Sequence, residues 1–247
     1  MNTRTCLAGL ILAAGMGGLS GCNLPLNPGP TPRPTVIVIT AEGPYATDFD
    51  DPADWLVGET EISSGRVEDG EYWLAIKRPS MFAWTHQQRT FSEGVYEFDA
   101  RLVSGPEASG FGLLLLGSSD LSSFLYVMIT GDGRYDVGTC ADSCAEQQSL
   151  IGGYTLSYSI LADNQPNHLR AELAGGTLNL TINGAPVSAV QGLTYSQGLV
   201  GFIGESSSYG GFVAAFDNLR VIEAGGAGAP EPLTATPPPP SSPGATP

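Results

Sequence analysis

Two carboxylates that could act on one substrate lie close together in "VYEFDARL", residues 95–102. Side chains alternate between the two faces of a β-strand, so Glu97, Asp99 and Arg101 would share one face. Glycoside hydrolysis uses two carboxyl groups that flank the scissile bond, and this pair is the nearest match to that requirement. Because Leu102 follows where a further acid would be needed, charge pairing with Arg101 on a polar face is the simpler interpretation.

Nucleophilic, metal-dependent and nucleotide-dependent chemistry lack their usual patterns in this sequence. Ser206 and its neighbours in "GESSSYGG" do not form the Gly-x-Ser-x-Gly elbow of a strand-to-helix turn. His86 and His168 each stand alone, although His86 follows Trp84 and is a candidate ligand contact. No P-loop or dinucleotide fingerprint is present. The sequence therefore predicts no catalytic residue and no enzymatic activity.

The Gly-Asp-Gly at residues 131–133 is the remaining candidate for a phosphate or calcium loop. A phosphate-binding loop leads into a helix N-terminus, and a calcium loop needs more oxygen ligands at short spacing. Neither context is present, because strand-like segments precede and follow the motif. Asp-Gly between two strands is a strong hairpin signal, so we predict a turn.

The charge of the chain excludes two classes of partner. Its formal net charge is −15, from 10 basic and 25 acidic residues. Nucleic-acid binding depends on clustered Lys and Arg, so no nucleic-acid partner is expected. Electrostatic docking on anionic lipid is disfavoured for the same reason.

The N-terminus has the pattern of an export signal. Arg4 precedes the apolar run at residues 6–16, which is too short to span a bilayer. Leu19-Ser20-Gly21-Cys22 then resembles the bacterial lipobox, in which the chain is cut before a lipid-modified cysteine. We predict a signal peptide over residues 1–21 and attachment to the lipid bilayer through Cys22, at the bacterial cell surface or in the periplasm. An ordinary signal peptide cut elsewhere, or a core helix, is the alternative.

The four cysteines divide between export and structure. Cys6 leaves with the signal peptide and Cys22 carries the lipid, which leaves Cys140 and Cys144. In an oxidising compartment this pair is expected to form a disulfide, since neither histidine is near enough in sequence to favour a zinc site. The enclosed loop is short, so the chain-entropy model assigns it only ~2 kcal/mol.

Composition separates two flanks from one globular unit. Residues 22–36 are rich in proline and predict an extended stalk, and residues 224–247 predict a disordered tail rich in Pro and Gly. Residues 37–223 are long enough for one core. They contain short alternating segments separated by turn residues and no helix pattern, which predicts an all-β, two-sheet antiparallel sandwich.

The order of several segments resembles a known family. The segments are "TDFDDPADW", "FLYVMITGDGRYDVG", "NHLRAEL", "TLNLTINGAPV", "GLVGFIG" and "FVAAFDNLRVI". Together they resemble the concanavalin A-like lectin/glucanase jelly roll over residues 45–223. The nearest likeness is to the LamG-like versions found on bacterial surface lipoproteins and beside 3-keto-disaccharide hydrolase-like domains. The resemblance implies antiparallel strands and a concave face that often holds sugars.

Two departures from the family weaken a sugar site and a catalytic site. Relatives often read Tyr-Gly-Leu-x-x-Arg, with the Arg on the concave face, whereas Leu116 occupies that position in this chain. Glycosidases of the superfamily carry Glu-x-Asp-x-x-Glu, and Glu97 and Asp99 supply only its first half. The resemblance therefore implies a binding fold without the family's catalytic acids.

The resemblance also implies a possible structural calcium where the terminal strands pair. Carboxylates suit calcium, and the candidates are Asp48, Asp50 and Asp217, with Asp51 and Asp54 nearby. Turn caps and solvated charge are the competing interpretation of this acidic cluster. No other cofactor is expected.

The leading hypothesis is a non-catalytic, lipid-anchored surface protein whose jelly roll binds glycan. A sugar ring would stack on an aromatic side chain, with Trp84, Tyr126 and Tyr135 as candidates. Arg101 would hold sugar hydroxyls and Asp99 would fix that Arg by a charge-assisted hydrogen bond.

Two alternatives stay open. An envelope structural or adhesion protein that binds another protein would show a flat apolar patch. A glycoside-acting hydrolase would show two facing carboxylates about 5–10 Å apart.

Overall fold

The computed structural model describes residues 39–40, 44–50, 55–162 and 164–224. The predicted signal peptide, Cys22, the stalk and the tail from residue 225 lie outside these residues, as do Asp51 and Asp54. In the described part of the chain, no helix is long and apolar enough to cross a membrane.

The described residues form strands and turns. In chain order the strands are β1 Ile39–Thr40, β2 Tyr45–Thr47, β3 Gly58–Glu59, β4 Ser63–Glu68, β5 Glu71–Ile76, β6 Phe82–Trp84, β7 Arg89–Ser92, β8 Gly94–Ser104, β9 Gly110–Gly117, β10 Phe124–Thr130, β11 Arg134–Ala141, β12 Glu146–Ser149, β13 Thr155–Leu156, β14 Asn167–Ala174, β15 Thr177–Ile182, β16 Ala185–Val190, β17 Gln197–Glu205 and β18 Phe212–Glu223.

These strands pair into two nine-stranded sheets. The first sheet has the order β1-β7-β17-β9-β10-β11-β12, with β6 paired to β17 and β13 paired to β11. The second sheet has the order β16-β15-β14-β8-β18-β5-β4-β3, with β2 paired to β18. Apart from the short parallel pair β1 and β7, the long strands run antiparallel. The predicted all-β sandwich is confirmed.

Alternation of apolar and polar residues explains the second sheet. Strand β8 buries Tyr96, Phe98, Ala100 and Leu102 and leaves the residues between them partly exposed. Strand β5 does the same with Tyr72, Leu74 and Ile76. One face of this sheet therefore packs against the core and the other faces solvent, as the sequence predicts.

The core between the sheets is centred on an aromatic stack. The ring of Phe202 on β17 lies 4.1 Å from that of Phe216 on β18 at an interplanar angle of 10°. The ring of Phe202 also stacks on that of Trp55, at 4.8 Å and 16°. Because Phe202 and Phe216 belong to opposite sheets, this stack joins the two layers.

A bulge in β9 changes the position expected for Leu116. The pairing of β9 with β17 shifts register between Leu199 and Gly201, and Leu116 adopts a φ of 50°. A bulge reverses the direction of the side chains that follow it. As a result Leu116 packs in the core between the sheets, which corrects the expectation that it faces a binding surface.

The Gly-Asp-Gly motif forms the predicted hairpin turn. Strands β10 and β11 pair up to Ile129 and Tyr135, and the turn between them closes with Gly133 N donating to Thr130 O at 3.2 Å. Gly133 has a φ of 83°, in the left-handed region that glycine adopts without strain. Thr130 Oγ1 also accepts a hydrogen bond from Arg134 N at 3.0 Å.

Candidate functional site

The first sheet carries a second apolar layer on the face turned away from the core, which we call the outer face. Along β10, Leu125, Val127 and Ile129 belong to the core, whereas Tyr126 and Met128 belong to this layer. The buried members of the layer are Leu114, Leu121, Phe124, Tyr126, Met128, Cys140, Leu199 and Ile203. Both faces of β9 and β10 are therefore covered, which explains their continuous apolar sequence.

A buried carboxylate organises the polar part of the outer face. Asp136 on β11 is only 2% exposed. Its Oδ2 accepts a hydrogen bond from the Tyr126 hydroxyl at 2.8 Å, and its Oδ1 accepts one from Ser149 Oγ at 2.5 Å. Both oxygens are thus occupied by neighbouring side chains, and Asp136 fixes the Tyr126 ring.

A second carboxylate, Glu205, lies beside this network at the end of β17. Its Oε2 accepts hydrogen bonds from the Tyr154 hydroxyl at 2.9 Å and from Gln147 Nε2 at 3.5 Å. Gln147 Nε2 also donates to the Tyr126 hydroxyl at 3.1 Å, which links Glu205 to the Asp136 network. Among the described residues none donates to Oε1 of Glu205, and this oxygen is not among the buried unpartnered atoms, so it retains contact with solvent.

Burial is the main influence on the acidity of Glu205. It raises the pKa of Glu205 above the usual range, and the nearby charge of Asp136 adds to that rise. The hydrogen bonds from Tyr154 and Gln147 act in the opposite direction and lower the pKa. The carboxyl group therefore titrates at a higher pH than a solvated glutamate does.

Two interior glycines make room for the tyrosines of this network. A Cβ on Gly110 of β9 would collide with the Tyr154 hydroxyl, and a Cβ on Gly138 of β11 would collide with the Tyr126 hydroxyl. Glycine inside a strand often marks such a close approach. The absence of a side chain at these positions leaves the space in which both phenol hydroxyls reach their carboxylates.

Aromatic side chains flank Glu205 on the next strand. In the pairing of β6 with β17, Phe82 lies opposite Glu205 and Trp84 lies opposite Ile203. Phe82, Trp84 and Tyr154 pack on the outer-face layer and remain partly exposed. Trp84 meets Phe124 edge to face, with ring centroids 5.4 Å apart. This aromatic surface and Glu205 together form the candidate site.

The predicted disulfide is present beside the site. Cys140 and Cys144 are bonded, with Cα atoms 4.5 Å apart, across the turn from β11 to β12. In the register of these strands Cys140 lies opposite Gln147. The disulfide therefore constrains the turn that leads into the strand carrying Gln147.

Two of the residues predicted to contact a ligand, Trp84 and Tyr126, lie on the outer face. Trp84 is partly exposed, but Tyr126 is fully buried and its hydroxyl is already bonded, so its ring offers no stacking surface. Tyr135 points into the core instead, and its hydroxyl donates to Val187 O at 2.6 Å. That position contradicts the predicted ligand-binding role of Tyr135.

The other two predicted contacts, Asp99 and Arg101, lie on the solvent face of the second sheet. Arg101 is paired with Glu71 rather than Asp99, with Nε 2.8 Å from Oε1. Asp99 instead contacts His168 Nδ1 and Asn218 Nδ2, each at 2.8 Å. Because β8 and β10 belong to different sheets, the expectation of one groove shared by Arg101 and Tyr126 is wrong.

The acidic residues considered for calcium lie near this second face. Asp48 and Asp50 are exposed after β2, and Asp217 on β18 lines a depression of about 270 Å³ together with Asp99 and Glu71. Burial raises the pKa of Asp217, and the charges of Asp99, Glu71 and Asp48 raise it further. Among the described residues no group of three or more acidic, His or Cys side chains is placed to hold a metal ion, so calcium stays a prediction.

Sequence reasoning missed most of the outer-face network: Asp136, Gln147, Tyr154 and Glu205. No polar alternation marks β11, because both of its faces are largely buried. A usable signal was present in Gly110 and Gly138, since glycine within an otherwise apolar strand indicates a close approach by another group.

Comparison with known proteins identifies the fold. No family model matches the chain, and no curated protein matches it. Among solved structures it is similar to the carbohydrate binding module CBM66 from Bacillus subtilis, with 13% identity over 76% of this chain and 99% of that one, at a TM-score of 0.54. It is also similar to the Bacillus licheniformis β-glucanase, with 10% identity over 74% of this chain and 99% of that one, at 0.54.

A third similar structure is a Bacteroides ovatus mixed linkage glucan GH16 protein, with 10% identity over 72% of this chain and 99% of that one, at a TM-score of 0.53. At these identities the comparisons show the fold alone. The chain has the two-sheet jelly roll of carbohydrate-binding modules and glucanases, which confirms the predicted fold class.

Proposed function

We propose that this protein is a non-catalytic, lipid-anchored, extracytoplasmic protein whose jelly roll binds glycan on the outer face of the first sheet. The observation that carries the proposal is the combination of partly exposed aromatic rings with an available carboxylate oxygen. Phe82, Trp84 and Tyr154 supply the rings, and Glu205 supplies the oxygen. The carbohydrate-binding module among the similar structures supports the same class of ligand.

The chemistry of these groups matches the two surfaces of a sugar. The apolar face of a pyranose ring packs on a polarisable aromatic face, and Trp84 is the largest of the partly exposed rings. A sugar hydroxyl can donate to Glu205 Oε1, because an ionised carboxylate accepts hydrogen bonds and forms strong ones. The buried Tyr126 and Asp136 hold this surface in place without contacting the ligand.

The position of the second carboxylate supports binding without hydrolysis. Hydrolysis of a glycoside needs two carboxyl groups facing the bond. Asp136 is buried and uses both oxygens within the protein, so only Glu205 would face a ligand. The raised pKa of Glu205 is the one feature that favours a hydrolase as a second candidate, since a general acid needs such a shift. Release of reducing ends from a bound glycan would establish the second candidate instead.

A glycan array followed by titration calorimetry tests the binding site. Trp84→Ala should weaken binding about 2- to 10-fold or more, because a stacked aromatic contributes about 0.5–1.5 kcal/mol beyond area burial. Trp73→Ala is the matched control, since Trp73 is also partly exposed but lies on the solvent face of the second sheet. If the two variants lose the same affinity for glycan, or if only Trp73→Ala loses affinity, the outer face is not the glycan-binding surface.

The lipid anchor has its own test. Cys22→Ala should abolish incorporation of labelled fatty acid and move the protein to the aqueous phase in detergent partitioning. Cys6→Ala is the control, because that residue belongs to the predicted signal peptide and carries no lipid. A Cys22→Ala protein that still enters the detergent phase would refute lipid attachment at that residue.

A further inference from the structure

We infer that the outer-face site selects glycans that carry a protonated amine, prefers them to neutral glycans and rejects acidic ones. Glu205 is the residue that sets this selectivity. The inference rests on the proposed function, because it names the ligand class of the same site.

The first step is the charge of the site. Two carboxylates, Asp136 and Glu205, belong to one hydrogen-bonded network through Tyr126 and Gln147. No Lys, Arg or His in the described part of the chain forms an ion pair with either of them. A cationic group on the ligand would therefore compensate negative charge that no basic residue in the described part of the chain neutralises by an ion pair.

The second step is the cost of that negative charge. Burial raises the pKa of Glu205, so its ionised form is less stable in this setting than in water. An ammonium group at Oε1 would favour the ionised form by a charge-assisted hydrogen bond. A carboxylate, sulfate or phosphate on the ligand would instead add a third negative charge at short range.

The third step is the aromatic surface around the carboxylate. Phe82 lies opposite Glu205 across β6 and β17, the Tyr154 hydroxyl donates a hydrogen bond to Glu205, and Trp84 lies two pairs further along on the same face. Aromatic faces attract cations through their quadrupole, most strongly on tryptophan. Aromatic rings beside an unpaired carboxylate therefore suit an ammonium group better than a neutral acetamide.

The site is built before a ligand arrives. Gly110 leaves the space in which the Tyr154 hydroxyl reaches Glu205, and Gly138 does the same for Tyr126 and Asp136. Tyr154 and Gln147 both donate hydrogen bonds to Oε2, so the carboxylate is held in place while Oε1 takes no part in these bonds. Selectivity for the charge of the ligand then depends on a single atom, Oε1 of Glu205.

The test uses three oligosaccharides of equal length: a glucosamine pentamer, an N-acetylglucosamine pentamer and a galacturonate pentamer. At about pH 6, where the amines of the glucosamine pentamer are protonated, and at physiological salt, calorimetry should give tightest binding to glucosamine, binding about tenfold weaker to its acetylated form, and none to galacturonate. Glu205→Gln should abolish the preference for the free amine. Glu61→Gln makes the same change of charge at a side chain that is 88% exposed in the second sheet's turn, and it should leave the preference intact.

The outcomes separate this inference from the proposed function. The selectivity would be overturned, and glycan binding left in place, by any of three results. The glucosamine and N-acetylglucosamine pentamers could bind with equal affinity, the galacturonate pentamer could bind, or Glu61→Gln could reduce the preference for the amine as much as Glu205→Gln does. If these pentamers are not bound but a neutral glycan on the array is, the amine preference is wrong and the proposed function stands. If no glycan on the array is bound, both are wrong.

Discussion

Tyr126 shows how a residue can belong to a functional surface without touching a ligand. From the sequence it is a stacking platform, whose loss should reduce glycan binding and leave stability unchanged. In the structure its ring is fully buried, and its hydroxyl satisfies the buried Asp136. Truncation to alanine would therefore cost roughly 3 kcal/mol or more of stability, as other large-to-small core changes do.

Removing only the Tyr126 hydroxyl gives a sharper prediction. Tyr126→Phe leaves Oδ2 of Asp136 without its donor, which should lower the free energy of unfolding by about 1–3 kcal/mol. Tyr158→Phe is the matched control, because that side chain is 95% exposed and should change stability little. Urea denaturation measures both. A Tyr126→Phe protein as stable as wild type would mean that the hydroxyl does not support Asp136.

Glu205 should leave a signature in the pH dependence of stability. Because burial raises its pKa in the folded state, the native protein binds more protons than the unfolded chain between the unfolded and folded pKa values. Stability from this group is therefore lost as the pH rises through that window and regained as the pH falls. Relative to Glu205→Gln, wild type should gain stability on acidification from neutral pH towards pH ~4. Thermal melts across this range give the difference, and a constant difference would contradict the raised pKa.

At the scale of strands, the outer-face site depends on how β9 and β17 accommodate Tyr154. Gly110→Ala should cost about 1–3 kcal/mol, because the new methyl group meets the Tyr154 hydroxyl. In a Tyr154→Phe background that hydroxyl is absent, so the same substitution should cost clearly less. A double-mutant cycle measured by denaturation reports the coupling. If Gly110→Ala costs the same in both backgrounds, Tyr154 does not occupy the space above Gly110.

Strand periodicity predicted much of this architecture from the sequence. The alternation in β5 and β8 correctly assigns which residues face the core, and Asp-Gly correctly predicts the β10–β11 turn. Alternation does not say which sheet a strand joins, which is why Arg101 and Tyr126 were expected in one groove. In β11 neither face is solvated, so Tyr135 facing inward and Asp136 facing outward look equally buried in the pattern. Leu116 was misplaced because nothing in four consecutive leucines marks a bulge.

For the whole molecule, stability rests on the contact between the two sheets. Phe202 stacks on Phe216 across the layers and on Trp55 at their edge. Phe202→Ala should lower the free energy of unfolding by about 3–5 kcal/mol, a large share of the roughly 5–15 kcal/mol that a domain has. Val213→Ala, a partly exposed residue on the solvent face of β18, is the control. A small effect of Phe202→Ala in urea denaturation would contradict a core centred on this stack.

The molecule also has two solvent-facing surfaces of different character. On the solvent face of the second sheet, several charged side chains form ion pairs with one another, as Arg101 does with Glu71 and Arg170 with Glu97. The outer face of the first sheet instead combines aromatic rings with a carboxylate whose Oε1 receives no hydrogen bond from the described residues. A surface that satisfies its own charges offers less to a partner than one that does not, which supports the proposal of a ligand site on the first sheet.

The most direct test of that assignment is an NMR titration that follows the indole N–H signals of the three tryptophans. Trp84 lies at the proposed site, Trp55 lies in the core and Trp73 lies on the opposite face. Each signal is first assigned by substitution of its tryptophan. Titration with a glycan that the array identifies as a ligand should then shift the Trp84 signal in a saturable way and leave the signals of Trp73 and Trp55 in place. A saturable shift of Trp73 with Trp84 unmoved would place the binding surface on the second sheet and contradict the account.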